Sequence, residues 1–411
     1  MMIQNADIVI VGGGIWGLSA AYHLAQAGQK RVSVLERNPA LAQETTPRAA
    51  GLVGQIRSNP TMMRAIQYAL NLFSQFARQT GHDPGVHQTG SLMVALTPER
   101  LAAYEQQVEH ARQNQVEASF VSHEEMARLV PALNTSQVVG GYFVPDDGYV
   151  DPKQCAQAYG EAATDLGVHI ALGTRVTGIR ISQGRVVGVE TGDGLVEAGQ
   201  VLIAAGPWSG MLAEKAGFAP AMQPIRHQRV CTVPLPGIPD HHPVVRVTDV
   251  SCYVRPEKGG YLYGFFEPHP TSIDLETLPA DFTTGDLEPP TAVMAEAQKR
   301  LSPIFPILKE LEIAEYHQGI TTFAPDGSYL IGPVPGVADL FLATGCAALG
   351  IAGSAAIGHW LAQWMLEGHP GEDLTLFGLE RFGDRASDRA WMRRASEDFY
   401  GHYYSIRPEA S

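Results

Sequence analysis

A run of β-branched residues near the N-terminus, residues 8–11, has the apolar character of a strand buried in a parallel sheet. Glycines in the spacing G-x-G-x-x-G follow directly. The next segment carries apolar side chains at helical spacing on one face up to Gly28, a residue typical of a helix C-terminus. A second apolar run, Val32–Leu35, ends at the acidic residue Glu36. The pattern predicts a strand, a glycine turn, a helix and a second strand in direct succession.

These glycines match the steric needs of a dinucleotide site. Gly12 permits a tight turn off the strand, Gly14 lets the backbone approach a pyrophosphate, and Gly17 lets helix and strand pack closely. The start of the helix offers free N–H groups and a positive dipole end to phosphates. Glu36 is placed to accept hydrogen bonds from a ribose, and its charge disfavours a 2′-phosphate. An ordinary glycine-rich turn explains this succession less well, because all its elements occur in order.

Apolar residues recur at helical spacing in several later segments. The predicted helices cover residues 63–80, 98–115, 123–133 and 290–301, and a strand is predicted at 90–96. In the tail, residues 379–404 carry arginines at helical spacing, with Asp384 and Asp388 among them. We interpret that pattern as a solvated face with salt bridges rather than as a binding patch.

The strand-to-glycine-turn pattern of the N-terminus returns at residues 201–208 and again within residues 321–368. The region 220–325 differs, because it is rich in Pro and His and alternates like antiparallel strands. We therefore predict an α/β protein: a Rossmann-like nucleotide-binding domain built from discontinuous segments, plus an antiparallel-sheet (α+β) substrate-binding domain. The segments assigned are 1–85, 145–222 and 324–411 for the first domain, and 86–144 and 223–323 for the second.

Composition narrows the class of protein. A chain of 411 residues exceeds what one core usually holds, which agrees with two domains. Its 45% apolar and 18% charged residues are typical of globular proteins. The formal net charge of −14 disfavours nucleic acid and anionic membranes as partners.

The cysteines and the N-terminus point to a cytoplasmic protein without metal. Cys155, Cys231, Cys252 and Cys346 are widely spaced and match no zinc template, so we expect reduced thiols and no metal site. The N-terminal apolar run lacks a basic flank and is interrupted by glycines, unlike a signal peptide. No stretch of the sequence is long and apolar enough to span a bilayer.

Several motifs, taken together and in order, resemble a known family. They are GGGIWGLSAAYHLAQAG, AAGLVGQIRS, DGYVDP, LIAAGPWS, FAPDGSYLIGPVPG and ATGCAALGIAGSAAIGHWLA. They are similar to the D-amino-acid-oxidase superfamily of flavoproteins, and most of all to the flavin part of dimethylglycine and sarcosine dehydrogenases. The likeness spans nearly the whole chain. It implies that FAD is bound in an extended form across the nucleotide-binding domain.

The resemblance also implies which residues bind the cofactor. The ADP half would be held by the first glycine turn and the acid after it, the pyrophosphate and ring by the segment around residue 48, and the pyrimidine edge by a late glycine turn. The predicted cofactor-binding residues are Gly12, Gly14, Ile15, Trp16, Gly17, Glu36, Arg37, Thr45, Arg48, Ala49, Ala50, Gly51, Leu52, Val176, Ala205, Gly206, Trp208, Gly345, Gly350 and Ile351.

Departures from the family pattern shape the expected chemistry. Dimethylglycine dehydrogenases attach FAD through a Trp-His pair, where this chain has Pro47 and Arg48. Monomeric sarcosine oxidases attach it through a Cys, where this chain has Gly319. FAD is therefore expected to be non-covalent. The oxygen-activating Lys of those oxidases is replaced by Ala352, which favours a dehydrogenase over an oxidase.

Length is a further departure. The larger relatives continue into a folate-binding domain, whereas this sequence stops at Ser411. If it demethylates an N-methyl amine, the imine is expected to release free formaldehyde, or a partner subunit takes the one-carbon unit.

The expected reaction is oxidation of a secondary or tertiary amine, such as sarcosine or dimethylglycine, to an imine. Arg57 is the first candidate to bind a substrate carboxylate and Arg255 the second. Tyr253 and Tyr261 are candidate roof residues, and His227 a candidate proton-handling group. A surface arginine, a core tyrosine and a packed histidine are the competing interpretations.

Other functions remain open from the sequence. The substrate could be a D-amino acid or proline, oxidised by an oxidase or a dehydrogenase. The chain could also be the flavin subunit of a hetero-oligomeric complex like sarcosine oxidase, or a flavin-binding module without catalysis. The electron acceptor, whether oxygen or an electron-transfer protein, and the oligomeric state are equally open.

Overall fold

The computed structural model describes residues 4–239 and 241–406, so residues 1–3 and 407–411 of the predicted first domain lie outside it. The α-helices are α1 (Ile15–Gln26), α2 (Pro60–Thr80), α3 (Pro98–Gln113), α4 (His123–Leu129), α5 (Pro152–Asp165), α6 (Ser209–Lys215), α7 (Thr291–Leu301), α8 (Ser354–Glu367) and α9 (Arg389–Gly401). The strands of the N-terminal half are β1 (Asn5–Val11), β2 (Val32–Leu35), β3 (Leu52–Val53), β4 (Val86–His87), β5 (Ser91–Ala95), β6 (Ser119–Phe120), β7 (Gly140–Val144), β8 (Gly148–Val150), β9 (His169–Ala171), β10 (Val176–Ser182), β11 (Arg185–Thr191) and β12 (Gly194–Ile203). Those of the C-terminal half are β13 (Gln223–Thr232), β14 (Val244–Val247), β15 (Cys252–Glu257), β16 (Gly260–Phe265), β17 (Ile313–Phe323), β18 (Leu330–Pro333) and β19 (Leu340–Thr344).

The first sheet is parallel at its centre. Strands β9, β2, β1, β12 and β19 lie side by side in that order, and each adjacent pair is parallel. The edge strand β18 and the hairpin β10–β11 add antiparallel pairings. The apolar runs at 8–11 and Val32–Leu35 are thus adjacent central strands, as the sequence predicted, with Val9 and Ile10 fully buried.

Helices cover one face of this sheet. α1 packs against α5 and α8, and α8 also packs against α2. Small residues permit close packing, since a Cβ at Gly358 of α8 would lie 2.2 Å from the Ser19 hydroxyl of α1. The result is one continuous apolar core between the sheet and these helices.

The second large sheet has the order β17-β13-β16-β15-β14-β5-β7-β6. Its neighbours are antiparallel, as predicted, except that β14 and β5 pair in parallel. That pairing joins two distant parts of the chain. The alternation of residues within each strand could not predict it. A third sheet has three antiparallel strands in the order β3-β8-β4.

The strands of each large sheet come from the chain segments that were predicted for one domain. The strands of the first sheet fall within residues 5–35, 169–203 and 330–344, and those of the second within 91–144 and 223–323. The division into a cofactor-binding and a substrate-binding domain remains our proposal. Within the described residues, no helix combines the length and apolar character needed to cross a membrane.

The predicted helices exist, with shifted ends. The helix predicted at 63–80 begins at Pro60, because the Asn59 side chain accepts hydrogen bonds from the first-turn N–H groups of Thr61 and Met62. The helix predicted at 123–133 ends at Leu129, because Pro131 keeps the preceding residue out of the helical conformation.

Candidate active site

A cavity of about 590 Å³ runs from the first sheet to the second. Its lining includes Val11, Glu36 and Ala204, which lie at or just after the carboxyl ends of β1, β2 and β12. In parallel α/β sheets, ligands bind at this edge. His227 of β13 and Tyr253 of β15 line the other end.

The first glycine turn is closely packed. Gly12 has a φ of +113°, and a Cβ there would lie 2.5 Å from the carbonyl oxygen of Ala204. A Cβ at Gly17 would lie 2.1 Å from the carbonyl oxygen of Gly12. Gly12 and Gly14 line the cavity, while Gly17 lies behind it and acts through packing. The space that side chains would fill is left for a ligand and for close helix packing.

The acid after β2 is fixed by backbone donors. Glu36 is buried, and its carboxylate accepts hydrogen bonds from Gly13 N at 2.7 Å and Asn38 N at 2.8 Å. Burial raises its pKa, while these donors and Arg37 lower it.

Gly14 precedes α1 as N-cap, and its lack of a side chain leaves the helix N-terminus open to the cavity.

The end of the cavity nearest Glu36 has a flat, cationic wall. The Arg37 guanidinium carbon lies 3.7 Å from the centre of the Trp208 ring. Arg37 also forms an ion pair with Glu44 and donates a hydrogen bond to the Phe282 carbonyl at 3.1 Å. Val176 lines the cavity here with Ala205 and Gly206. An adenine ring fits such a wall through stacking and apolar contact.

The segment from Thr45 to Leu52 is held in place by arginines of the second sheet. Arg229 Nε donates to the carbonyl oxygens of Arg48 and Ala49, both at 3.0 Å. Arg255 Nε donates to the carbonyl of Ala50, also at 3.0 Å. The next residue, Gly51, has a φ of +74°, which an L side chain rarely adopts. The backbone of this segment is therefore positioned as a rigid wall.

The late glycine turn forms the opposite wall and contains strained backbone. Ala347 and Ala348 have φ values of 45° and 58°, in the left-handed region that non-glycine residues avoid. The Thr322 hydroxyl accepts a hydrogen bond from Cys346 N at 3.0 Å. Trp16 Nε1, at the start of α1, donates to the Gly350 carbonyl at 2.7 Å. Strain maintained by several hydrogen bonds is a mark of functional sites.

Arg57 lies at the end of the cavity nearest the second sheet. Its Nη1 donates to the carbonyl of its neighbour Ile56 at 2.8 Å. Its buried Nε has no partner among the described residues. A buried donor without a partner is costly, so a ligand oxygen here would be strongly favoured.

His227 sits between two tyrosines. Its Nδ1 lies 2.8 Å from the Tyr400 hydroxyl and its Nε2 lies 3.1 Å from the Tyr253 hydroxyl. Burial lowers the pKa of His227 to about 3, so the imidazole is neutral at physiological pH. It orients Tyr253 and adds no positive charge to the cavity.

A second guanidinium, absent from the sequence-based site, is that of Arg246 on β14. Its Nη1 donates to the Ser91 hydroxyl at 2.9 Å. Its charge lowers the pKa of the buried Asp147 carboxyl, opposing the burial that raises it. Arg246 was detectable in the sequence as a lone charge within the valine-rich strand PVVRV.

Aromatic residues close this end of the cavity, and sequence reasoning missed three of them. Tyr403 and Tyr404 come from the tail, and Phe266 follows β16. Tyr403 stacks on Phe266 with ring centres 4.1 Å apart and planes within 2°. The two tyrosines just after α9 could have indicated this wall in the sequence, but the arginine pattern before them was interpreted as a solvated surface.

Cys346, with Sγ 3.0 Å from the Thr321 hydroxyl, also lines the cavity and was missed.

The structure thus brings most of the predicted residues to one cavity. The predicted residues that line it are Gly12, Gly14, Ile15, Trp16, Glu36, Arg37, Thr45, Arg48, Ala49, Ala50, Gly51, Leu52, Arg57, Val176, Ala205, Gly206, Trp208, His227, Tyr253, Gly350 and Ile351. Gly17, Gly345, Arg255 and Tyr261 lie outside it. Arg255 is occupied by Ala50, Pro256 and Glu257, and Tyr261 is a fully buried core residue near His242 and Phe305.

Comparison with known proteins identifies the family of the chain. The family model DAO, described as FAD dependent oxidoreductase, matches residues 7–364. The 4-methylaminobutanoate oxidase (formaldehyde-forming) of Paenarthrobacter nicotinovorans is 30% identical over 97% of this chain and 48% of that protein. Mitochondrial dimethylglycine dehydrogenase of Rattus norvegicus is 29% identical over 96% of this chain and 47% of that protein. The chain therefore spans about half the length of these curated relatives.

The solved structure of L-proline dehydrogenase from P. horikoshii has the same fold. The TM-score is 0.84 at 24% identity, over 93% of this chain and 98% of that one. The cavity independently fits FAD, with its glycine turn, its buried acid, an open helix N-terminus and a second wall near Ala50. The chain belongs to the DAO family of FAD-dependent oxidoreductases.

Proposed function

We propose that the chain oxidises the N-methyl group of an amino acid such as sarcosine or dimethylglycine. Bound FAD supplies the two-electron oxidant for such a reaction. The substrate loses a hydride from the methyl carbon while the nitrogen lone pair forms the imine bond. Water then adds to the imine, and the products are formaldehyde and the demethylated amine. The observation that carries the proposal is the guanidinium of Arg57, whose buried Nε has no partner among the described residues, at the same end of the FAD cavity as an aromatic wall.

The guanidinium of Arg57 supports binding of a carboxylate. Arg57 has an unpartnered Nε among the described groups, and an arginine fork matches the two oxygens of a carboxylate. Arg246 lies close enough that both guanidinium groups lower the pKa of Tyr403 against the effect of burial, which raises it to about 12. The Asp147 carboxylate offsets Arg246. One positive charge is left over, which favours a substrate with one carboxylate and a neutral amine.

The aromatic wall supports binding of a methylated amine. Tyr253, Phe266, Tyr403 and Tyr404 present flat apolar faces and ring electrons, which attract methyl groups and the protonated amine on arrival. Oxidation needs the neutral amine, and a desolvated pocket containing two guanidinium groups disfavours its protonated form. The neutral His227 does not add to that repulsion and keeps Tyr253 in place.

The wall near the ring supports non-covalent FAD. The resembled families attach FAD through a Trp-His pair or a Cys. At the matching positions this chain has Pro47 with Arg48, and Gly319, and none of these offers the attaching group. Ala352, at the place of the oxygen-activating lysine, is fully buried and uncharged. We infer a dehydrogenase that passes electrons to an acceptor other than oxygen.

The test is an anaerobic titration of the purified holoprotein, followed by its flavin absorbance. N-methylglycine, N,N-dimethylglycine and 4-(methylamino)butanoate are compared with D-alanine and L-proline. We expect bleaching by an N-methyl amino acid, formaldehyde in equal amount, and slow recovery of the absorbance in air. Bleaching by D-alanine or L-proline alone would show that the substrate is not an N-methyl amino acid. Rapid recovery of the absorbance with formation of peroxide would show that the enzyme is an oxidase. Co-purifying chains would instead favour the flavin subunit of a larger complex.

A further inference from the structure

A second cavity, of about 550 Å³, lies on the other side of the segment that borders the FAD cavity. Ala42, Gln43 and Arg48 line both cavities. One wall of the second cavity is formed by the strand pair β13 and β17. Nothing in the proposed amine oxidation uses this space.

Three metal-binding side chains meet on that wall. Glu315 and His317 alternate along β17, so they point to the same face of the sheet. Cys231 on β13 pairs directly with Glu315 in the antiparallel register. The thiol, carboxylate and imidazole donor atoms all lie within 4.8 Å of one another, and His317 Nε2 is 2.7 Å from Glu315 Oε2.

We propose that Cys231, Glu315 and His317 bind a Zn²⁺ ion, with the fourth coordination position open to water from the cavity. Sulfur, nitrogen and oxygen donors together suit Zn²⁺, whereas Ca²⁺ and Mg²⁺ prefer oxygen alone. Tetrahedral coordination needs donor atoms a few ångströms apart, and the three donor atoms already lie within 4.8 Å of one another. All three ligands extend from rigid paired strands, which favours a specific site.

The surroundings are compatible with a cation despite nearby arginines. Arg229 Nη1 donates to Cys231 Sγ at 3.1 Å, and a metal-bound thiolate still accepts such a hydrogen bond. The rest of the Arg229 guanidinium is occupied by backbone carbonyls of residues 47–49. Arg255 is neutralised by an ion pair with Glu257, whose N–O distance is 2.5 Å.

The ion would join β13 to β17 at the base of the segment that faces the flavin. Arg229 connects the two places, since it touches both Cys231 and the carbonyls of Arg48 and Ala49. Zinc is therefore expected to stabilise the folded holoprotein by preferential binding to the native state. Zinc is not expected to be needed for the amine oxidation itself.

The experiment is zinc titration of EDTA-dialysed, desalted holoprotein by calorimetry, with the thermal unfolding temperature as a second readout. Wild type is expected to bind one Zn²⁺ per chain and to unfold at a higher temperature with zinc. Loss of an outer-shell partner already lowers metal affinity about 10- to 100-fold, so C231S and H317Q should weaken binding by at least about tenfold. Neither variant should then show the thermal shift.

The matched control is H82Q. His82 also lies beside carboxylates, with Glu161 at 3.0 Å and Asp165 at 2.8 Å, but no thiol is part of its group. H82Q should bind zinc like wild type. Stoichiometric binding that survives C231S and H317Q, or that H82Q abolishes, would overturn the proposal. Absence of zinc binding to wild type would overturn it as well, whatever the result of the amine titration.

Discussion

At the scale of single residues, the positions of a few arginines and one carboxylate set the charge of the cavity. Arg57 and Arg246 bring positive charge to the proposed substrate end of the cavity, and the carboxylate of Asp147 partly offsets the charge of Arg246. Sequence reasoning proposed two arginines for this role, Arg57 and Arg255. The structure has Arg255 donating to Ala50 instead, so that it positions the segment beside the flavin.

Replacement of Arg57 by alanine is expected to raise KM for the N-methyl amino acid about 10- to 100-fold, because a charge-assisted hydrogen bond contributes roughly 1.5–3 kcal/mol. Steady-state kinetics with an artificial electron acceptor measures this. An amine that lacks the carboxylate should be affected far less. R64A is the control, since Arg64 is exposed on α2 and pairs with Glu372. Equal losses for R57A and R64A would contradict the assignment.

Stability should depend on pH through buried histidines. Burial lowers the pKa of His23 to about 3, from about 6.5 in the unfolded chain. Below about pH 6.5 the unfolded state binds more protons, so stability falls as pH falls, until about pH 3. From about pH 7 to about pH 5 the loss is about 2 kcal/mol for this group. Urea unfolding at the two pH values measures this loss, and H23Q should reduce it by that amount. If H23Q loses as much unfolding free energy as wild type between the two pH values, His23 is not the cause.

At the scale of elements, the strand-turn-helix unit β1-α1-β2 is the part that local sequence defines best. Its boundaries were predicted within a few residues, because glycine spacing, apolar runs and the terminal acid are all local signals. The tail is the opposite case. Only Arg389–Gly401 forms an α-helix there, preceded by a 3-10 turn. Arg381, Arg389 and Arg393 pair with acids, though not with Asp384 or Asp388, and Arg385 lies over the Trp391 ring. The tyrosines that follow were the informative residues.

Substitution of Gly17 by alanine is expected to abolish FAD binding, because the new methyl group would lie 2.1 Å from the Gly12 carbonyl oxygen. The ratio of flavin to protein absorbance after purification reports this. G28A is the control: Gly28 has a φ of +94° but no atom within 4 Å among the described neighbours of its would-be Cβ. G28A should lose about 1 kcal/mol of stability and keep its flavin. A fully loaded G17A protein would show that this close contact can relax.

Tyr403 is expected to contribute to binding of the methylated amine through its stacking on Phe266. Y403A should lower kcat/KM for the methylated amine about 2- to 10-fold, in line with the 0.5–1.5 kcal/mol of an aromatic pair. Y403F keeps the ring and should behave like wild type. Flavin content should be the same in both variants, because the cofactor's other contacts remain. Equal activity of Y403A and wild type would remove the tail from the substrate site.

At the scale of the whole molecule, the cavity exists because two sheets face each other across it. The first sheet supplies the glycine turns, and the second supplies Arg229 and Arg255, which fix the segment between them. A ligand that contacts both sheets links them, so binding of FAD should raise the stability of the whole chain.

The cofactor is expected to be released by acid precipitation, with the flavin in the supernatant, since Arg48 and Gly319, which line the cavity, offer no attaching group. Reconstitution of the stripped protein should raise its unfolding temperature as FAD concentration rises. Flavin that stays in the pellet would contradict non-covalent binding. In that event Cys346, whose thiol lines the cavity, is the residue to replace by serine.

The sequence by itself determined the family, the cofactor, the α/β class and the nucleotide-binding turn, because these depend on short-range spacing along one strand and one helix. The tertiary structure decided that Arg57 but not Arg255 lines the cavity, that Arg246 and two tail tyrosines line it as well, and that Cys231 meets Glu315 and His317. Each of these depends on pairing between strands or packing of segments far apart in the chain. Such contacts follow from the sum of many weak interactions, and no local pattern encodes them.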